Sequence, residues 1–125
     1  MPPVAERESI DLFASGRLGP AFWVAFGVVF VIDLVLHLPT LPETILWAGV
    51  AAAYGFTCSV NAIRCGRIHC YFTGPFLFGV AGLVLAIGLG IVEVDPNPGR
   101  WLIPLIVGVF LILRYLPDRL WGRYR

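Results

Sequence analysis

Four long apolar runs, separated by short polar stretches, dominate the hydrophobic pattern of this 125-residue chain. A helix needs about twenty residues to cross a hydrocarbon core of roughly 30 Å, so runs of this length predict membrane-spanning helices. The pattern therefore predicts an all-α membrane bundle of four transmembrane helices. The predicted spans cover residues 21–38, 44–63, 74–93 and 101–116.

Proline and glycine positions predict where the third span begins. Pro75 is favourable at the first helical position, because the N–H that proline lacks would have no partner there. Thr73 or Gly74 is then the expected N-cap. The segment VDPNPGR, residues 94–100, is expected to be a loop before the fourth span.

The tails are more polar than the spans. Residues 1–20 form an N-terminal tail, residues 21–116 the membrane domain and residues 117–125 a C-terminal tail. In the first tail, residues 9–18 are expected to lie on the membrane surface as a short amphipathic helix, with disorder up to about Ser9 as the alternative. The first apolar run lacks a small-residue cleavage site after it, which favours a retained span over a signal peptide.

The composition supports a lipid environment and excludes one class of partner. Hydrophobic residues make up 58% of the chain and charged residues 14%, against about 25% charged residues in soluble domains. The bilayer is therefore the expected partner. With a net charge of +1, the chain has no broad basic face for nucleic-acid phosphates.

All nine basic residues are arginines, and their distribution predicts the orientation of the spans. Eight of the nine precede the first span, separate the second from the third, or lie at the end of the fourth; Arg100 is the exception. Because arginine accumulates on the cytoplasmic side, both termini are expected in the cytoplasm, with the protein in the cell inner membrane.

The three cysteines and one histidine fall within thirteen residues, from the last part of the second span to the segment before the third: Cys58, Cys65, His69 and Cys70. Thiols stay reduced in the cytoplasm, so metal binding or thiol chemistry is expected rather than a structural disulfide. Thiolate and imidazole ligands favour soft or borderline ions such as Hg(II), Cu(I) and Zn(II).

Spacing along a straight helix predicts how these ligands group. Cys58 and Cys65 would lie about 10 Å apart, too far for one ion. Cys65 and His69 lie one turn apart and could bind one ion together, as could ligands on either side of a hairpin turn near Gly66. The expected metal site is therefore Cys65 with Cys70, and with His69 as a third ligand, while Cys58 forms a separate position deeper in the membrane. In the alternative without metal, Cys58 is a small packing residue and His69 a loop residue.

Two further groups of polar residues are candidates for binding. Arg64 and Arg67 either set the topology or hold an anion such as a phosphate headgroup, and their charge would stabilise nearby thiolates. Asp33 and His37 lie one helical turn apart near the outer end of the first span. They either pair with each other or bind a cation entering from outside.

Other span residues predict helix contacts rather than chemistry. Asn61 is expected to hydrogen-bond a neighbouring helix, and Arg114 to extend its side chain to the cytoplasmic interface. Gly82, Ala86 and Gly90 form a small-residue face for a second copy or a larger membrane complex. A nucleotide-binding loop, a Ser-His-Asp arrangement and a carboxylate pair are all missing from the sequence, which predicts that the protein is not an enzyme.

The short chain, the few spans and the cysteine stretch from residue 58 to residue 70 resemble the small inner-membrane mercury-resistance transporters. In that family thiols pass Hg(II) from a periplasmic entrance to a cytoplasmic reductase. The chain lacks the adjacent cysteine pair that several members carry in the first span, so the resemblance assigns no residue. It implies a protein that handles or transports a soft metal ion. The alternatives are a structural subunit with incidental cysteines, and an accessory protein whose thiolate exchanges disulfides.

Overall fold

The computed structural model describes residues 3–13, 16, 18–37, 39–93, 102–122 and 124. Within these ranges the predicted all-α class is confirmed, with five helices and no strand. The predicted loop at residues 94–100 lies outside the described residues. The helices are α1 (Val4–Ile10), α2 (Leu18–Leu36), α3 (Thr40–Cys65), α4 (Ile68–Gly88) and α5 (Leu102–Leu120).

Among the described residues, three segments are long and apolar enough to cross a membrane: Leu18–Leu36, Leu41–Cys65 and Ile68–Gly88. They overlap the first three predicted spans. None of the side chains of α2 is buried within the protein, as expected for a helix whose apolar surface faces lipid. Helix α5 differs from these three because charged residues occupy its last two turns: Arg114, Asp118 and Arg119.

A turn of two residues joins α3 to α4 and makes them an antiparallel hairpin. Helix α3 ends at Cys65 and is followed by Gly66, whose φ of 70° is a left-handed conformation that glycine adopts without a Cβ clash. The Gly66 N–H donates to the carbonyl oxygen of Ala62 at 2.9 Å. Arg67 is extended, and α4 begins at the next residue, Ile68.

The predicted start of the third span, at Gly74 and Pro75, is wrong. Helix α4 begins at Ile68, and Pro75 lies inside it. Proline removes one helical hydrogen bond, but most side chains of the preceding turns are buried against the rest of the bundle. This packing stabilises the helix despite the missing donor. At its other end α4 stops at Gly88 rather than near Glu93.

Glycine allows close contact between α3 and α4. A Cβ atom at Gly74 would lie 2.5 Å from the Ser59 hydroxyl oxygen and 3.3 Å from the Gly55 carbonyl oxygen. A side chain at Gly74 would therefore crowd helix α3, and the two backbones approach closely here. Gly74 lies one helical turn beyond Cys70, farther from the turn at Gly66, and its contact fixes how the two helices are aligned along their axes.

The N-terminal segment, the α3–α4 turn and the C-terminal residues meet at one end of the bundle, which we call the Gly66 end. Helix α1 packs against α3, and Arg67 forms an isolated antiparallel bridge with Tyr124. Helix α1 ends at Ile10, near the point where the amphipathic helix was expected to begin. Helix α5 continues beyond its predicted end at residue 116, as far as Leu120.

Candidate functional site

Two cysteine side chains lie against each other inside the α3–α4 hairpin. Cys58 on α3 and Cys70 on α4 are both 0% exposed, and they form one buried cluster with Ala62. Their side chains interact directly. We call these two residues the thiol pair. Phe13 and Tyr54, which are partly buried, pack against the cluster.

His69 is held against the thiol pair by two residues of α5. Its Nε2 atom lies 3.4 Å from the Cys70 sulfur and 2.8 Å from a guanidinium nitrogen of Arg114. Its Nδ1 atom lies 3.2 Å from both carboxylate oxygens of Asp118. Because a guanidinium can only donate, Nε2 is the acceptor, and Nδ1 carries the proton that is donated to Asp118. The two α5 residues therefore fix both the orientation and the tautomer of the ring.

A second polar group surrounds the carboxylate of Asp11, which is 0% exposed. The carboxylate forms an ion pair of 2.6 Å with Arg67. It also accepts hydrogen bonds of 2.9 Å from the Asn61 amide and 3.1 Å from the Tyr124 hydroxyl. We call these four residues the Asp11 cluster. Burial, together with the charge of Asp11, raises the pKa of Tyr124 to about 12.

Asn61 connects the Asp11 cluster with the thiol pair. Its amide nitrogen lies 3.8 Å from the Cys70 sulfur as well as 2.9 Å from Asp11. Its amide oxygen accepts a hydrogen bond of 3.0 Å from the backbone N–H of Leu12. The expectation that Asn61 bonds a neighbouring helix is therefore too narrow, because its main partners belong to the N-terminal segment.

The structure groups the cysteines differently from the spacing argument. The predicted site paired Cys70 with Cys65 and left Cys58 apart, whereas the hairpin brings Cys70 against Cys58. The Cys65 sulfur instead donates to the backbone carbonyl of Asn61 at 3.0 Å. The difference arises because the turn at Gly66 reverses the chain, so residues far apart in sequence become neighbours across the two helices.

Within the described ranges, no group of three or more His, Cys, Asp or Glu side chains is arranged to hold a metal ion. The thiol pair by itself offers two sulfur ligands, from Cys58 and Cys70. His69 adjoins Cys70, but its Nε2 lone pair faces Arg114 in this arrangement. A third ligand would become available if Arg114 moved away.

The two arginines near the turn have different environments. Arg64 is exposed on the last turn of α3. The side chain of Arg67 is 14% exposed and forms the ion pair with Asp11. Helix α5 also changes the expected role of Arg114, whose guanidinium contacts His69 and lies 5.8 Å from the centre of the Phe13 ring.

The second predicted polar group, Asp33 and His37, lies at the other end of the bundle. The Asp33 carboxylate accepts a hydrogen bond of 3.3 Å from the indole N–H of Trp47 on α3. His37 follows the end of α2 with a φ of 44°, and its side chain is exposed. The Asp33 carboxylate is thus hydrogen-bonded to the indole of Trp47 on the neighbouring helix.

Sequence reasoning missed three residues of the site: Asp11, Asp118 and Tyr124. Asp118 carried a usable signal, because it follows Arg114 by four residues and would share its face if the helix continued through Pro117. Asp11 and Tyr124 carried none, since both lie in tails and reach the site through contacts distant in sequence.

Comparisons of the chain with protein-family models, with curated proteins and with solved structures gave no match. Function is therefore inferred from the chemistry of the site.

Proposed function

We propose that this protein is a four-span membrane protein that handles or transports a soft metal ion through the thiol pair, and that it is not an enzyme. One observation carries the proposal: Cys58 and Cys70 lie in direct contact, fully buried, with the His69 ring against the Cys70 sulfur. Two adjacent thiols in a dry site bind soft ions tightly, because each thiol replaces its proton with a strong metal–sulfur bond.

The fourth span in this proposal is α5, and the Gly66 end faces the cytoplasm. Helix α5 has no charged residue from Leu102 to residue 113, and Arg114 would lie near the interface. The contacts of Asp11 and Tyr124 with Arg67 support the placement of both tails on the side of the α3–α4 turn. The arginine excess supports the cytoplasm as that side.

The number of ligands narrows the choice of ion. Zn(II) in proteins takes four ligands in structural sites and three in catalytic sites. Two thiolates alone satisfy the linear coordination that Hg(II) and Cu(I) accept. Among the ions that the sequence suggested, Hg(II) and Cu(I) therefore fit the thiol pair better than Zn(II). Transfer of the ion would proceed by ligand exchange, with a bond to one incoming thiolate forming as a bond to Cys58 or Cys70 breaks.

Metal titration tests this function. The reduced, detergent-purified protein should retain about one Hg(II) per chain against excess glutathione, because a single thiol is outcompeted and a paired site is not. Cys58→Ser and Cys70→Ser should each abolish retention. Cys65→Ser is the matched control and should retain the ion, because that sulfur faces the backbone of its own helix. Equal behaviour of all three variants would contradict the proposal.

The second candidate is a structural or accessory subunit of a larger membrane complex, or a homo-oligomer. The observation in its favour is α2, a helix of 19 residues with no buried side chain. Gly82 has open space where a Cβ would project, so its face of α4 is free for a partner. This candidate predicts co-purification with other subunits, or a defined oligomer in native mass spectrometry, together with tolerance of every cysteine substitution.

A further inference from the structure

We propose that the N-terminal segment, residues 3–13, is a releasable cover that controls access to the thiol pair from the Gly66 end of the bundle. Phe13 closes the site, and Asp11 fastens the segment in place. The idea that this cover admits a metal ion rests on the proposed function. The existence of the cover rests on the contacts described below.

The first observation is the position of Phe13. Its ring packs against the cluster that contains Cys58 and Cys70. The ring centre lies 5.7 Å from that of Tyr54 and 6.3 Å from that of Phe22, and the Arg114 guanidinium lies beside it. Both cysteines are fully buried with this segment in place. The Phe13 ring therefore covers the side of the cluster that it contacts, and it would have to move to expose the sulfurs there.

The second observation is how the segment is attached. Helix α1 has only seven residues, and most of its surface is exposed, including Val4 at 61%. The attachment includes polar bonds from Asp11 to Arg67 and Tyr124, and from the Leu12 N–H to Asn61. Water can replace these polar partners when the segment lifts away, so the loss of the polar bonds is partly compensated.

The third observation is the contrast with the body that the cover rests on. Helices α3 and α4 pack closely along their length, with a glycine contact at Gly74 and a second where Thr44 faces Gly88. Local opening occurs where apolar contact is sparse and polar bonds carry the attachment. Helix α1 meets that description and Phe13 supplies the apolar contact of the segment, whereas the hairpin that carries the thiol pair is packed along its length.

Alkylation of the thiol pair tests the cover directly. The full chain, with Cys65→Ser so that only Cys58 and Cys70 report, is reconstituted into vesicles and treated with N-ethylmaleimide, and labelling is followed by mass spectrometry. Asp11→Asn should raise the labelling rate about tenfold, because labelling follows the population of the open state. Glu8→Gln removes a negative charge from an exposed site on α1 and should change the rate by less than about twofold.

Two further variants separate release of the cover from general loss of stability. Tyr124→Phe removes one hydrogen bond from Asp11 at the edge of the cover and should give a smaller increase in the same direction. Gly74→Ala weakens the hairpin without touching the cover. At an equal loss of melting temperature, it should accelerate labelling far less than Asp11→Asn.

Equal labelling rates for Asp11→Asn and Glu8→Gln, or an equal effect of Gly74→Ala, would overturn the cover. If Asp11→Asn fails to fold, an unchanged rate in Tyr124→Phe would do the same. Alkylation requires no metal, so the outcomes remain distinguishable from those of the metal titration. Faster labelling without retained Hg(II) would leave the cover standing and remove the proposed function, and the reverse pattern would remove the cover alone.

Discussion

The amide of Asn61 donates a hydrogen bond of 2.9 Å to the carboxylate of Asp11, a residue fifty positions earlier in the chain, and both side chains are fully buried. The same amide nitrogen lies 3.8 Å from the sulfur of Cys70. One side chain thus contacts both the N-terminal segment and the thiol pair. A substitution in the N-terminal segment that displaces this amide is therefore expected to alter the surroundings of the Cys70 sulfur, and the reverse should also hold.

Removal of one partner of the buried ion pair between Arg67 and Asp11 should be strongly destabilising. Arg67→Gln leaves the Asp11 carboxylate buried without its counter-charge, and loss of one partner of a buried pair costs about 3–5 kcal/mol. Arg64→Gln is the matched control, since it removes an equal charge from an exposed position one turn away. Denaturant unfolding in detergent measures both. Equal effects of Arg67→Gln and Arg64→Gln on the free energy of unfolding would contradict this prediction.

The contact of α3 with α4 at Gly74 predicts a difference between two glycines of the same helix. Gly74→Ala places a methyl group 2.5 Å from the Ser59 hydroxyl oxygen, which is too close. The strain should lower stability by about 1–3 kcal/mol. Gly79 has open space at the corresponding position, so Gly79→Ala should be neutral or slightly stabilising. Thermal unfolding followed by circular dichroism distinguishes the two, and a neutral Gly74→Ala would refute the close contact.

Tyr124 should make stability fall at high pH. Its pKa is raised to about 12 by burial and by the charge of Asp11, against about 10 in the unfolded chain. Between these values the folded state binds the proton more tightly, so its contribution is complete below pH 10 and is lost as the pH rises towards 12. Tyr124→Phe should remove this part of the pH dependence. Phenolate absorbance should lose one late transition in the variant, and an unchanged titration curve would contradict the assignment.

The apolar runs predicted the helices well, because length and hydrophobicity alone decide which segments can cross a membrane. The start of α4 could not be predicted in the same way. Pro75 is a local signal for a helix start, and packing against α3 overrides it. The contact of Cys58 with Cys70 depends on the turn at Gly66, which no distance along a straight helix describes.

The tails were the least predictable part. Asp11 and Tyr124 reach the site through a hydrogen bond between residues that are 113 positions apart. Composition and periodicity describe local structure and carry no information about such a pair. The long-range contacts in the site depend on how the helices and tails pack together, which no local pattern in the sequence describes.

The proposed orientation predicts the side on which three positions lie. Reporter domains fused after Gly66 and after Arg125 should both be cytoplasmic, and one fused after Asn97 should be external, because arginines accumulate on the cytoplasmic side. A fusion in the N-terminal tail provides an internal check on the first span. An external C-terminus would mean an odd number of spans and would exclude α5 as the fourth.

The pairing of Cys58 with Cys70 as the metal ligands is tested most directly by X-ray absorption at the mercury edge. The sample is the Cys65→Ser protein loaded with Hg(II) and washed with glutathione. Two sulfur neighbours and no third ligand are expected, because the thiol pair supplies two thiolates and Arg114 occupies the histidine nitrogen. A single sulfur neighbour in this protein, or retention of Hg(II) through the same wash by the Cys58→Ser, Cys70→Ser double variant with Cys65 restored, would contradict the account.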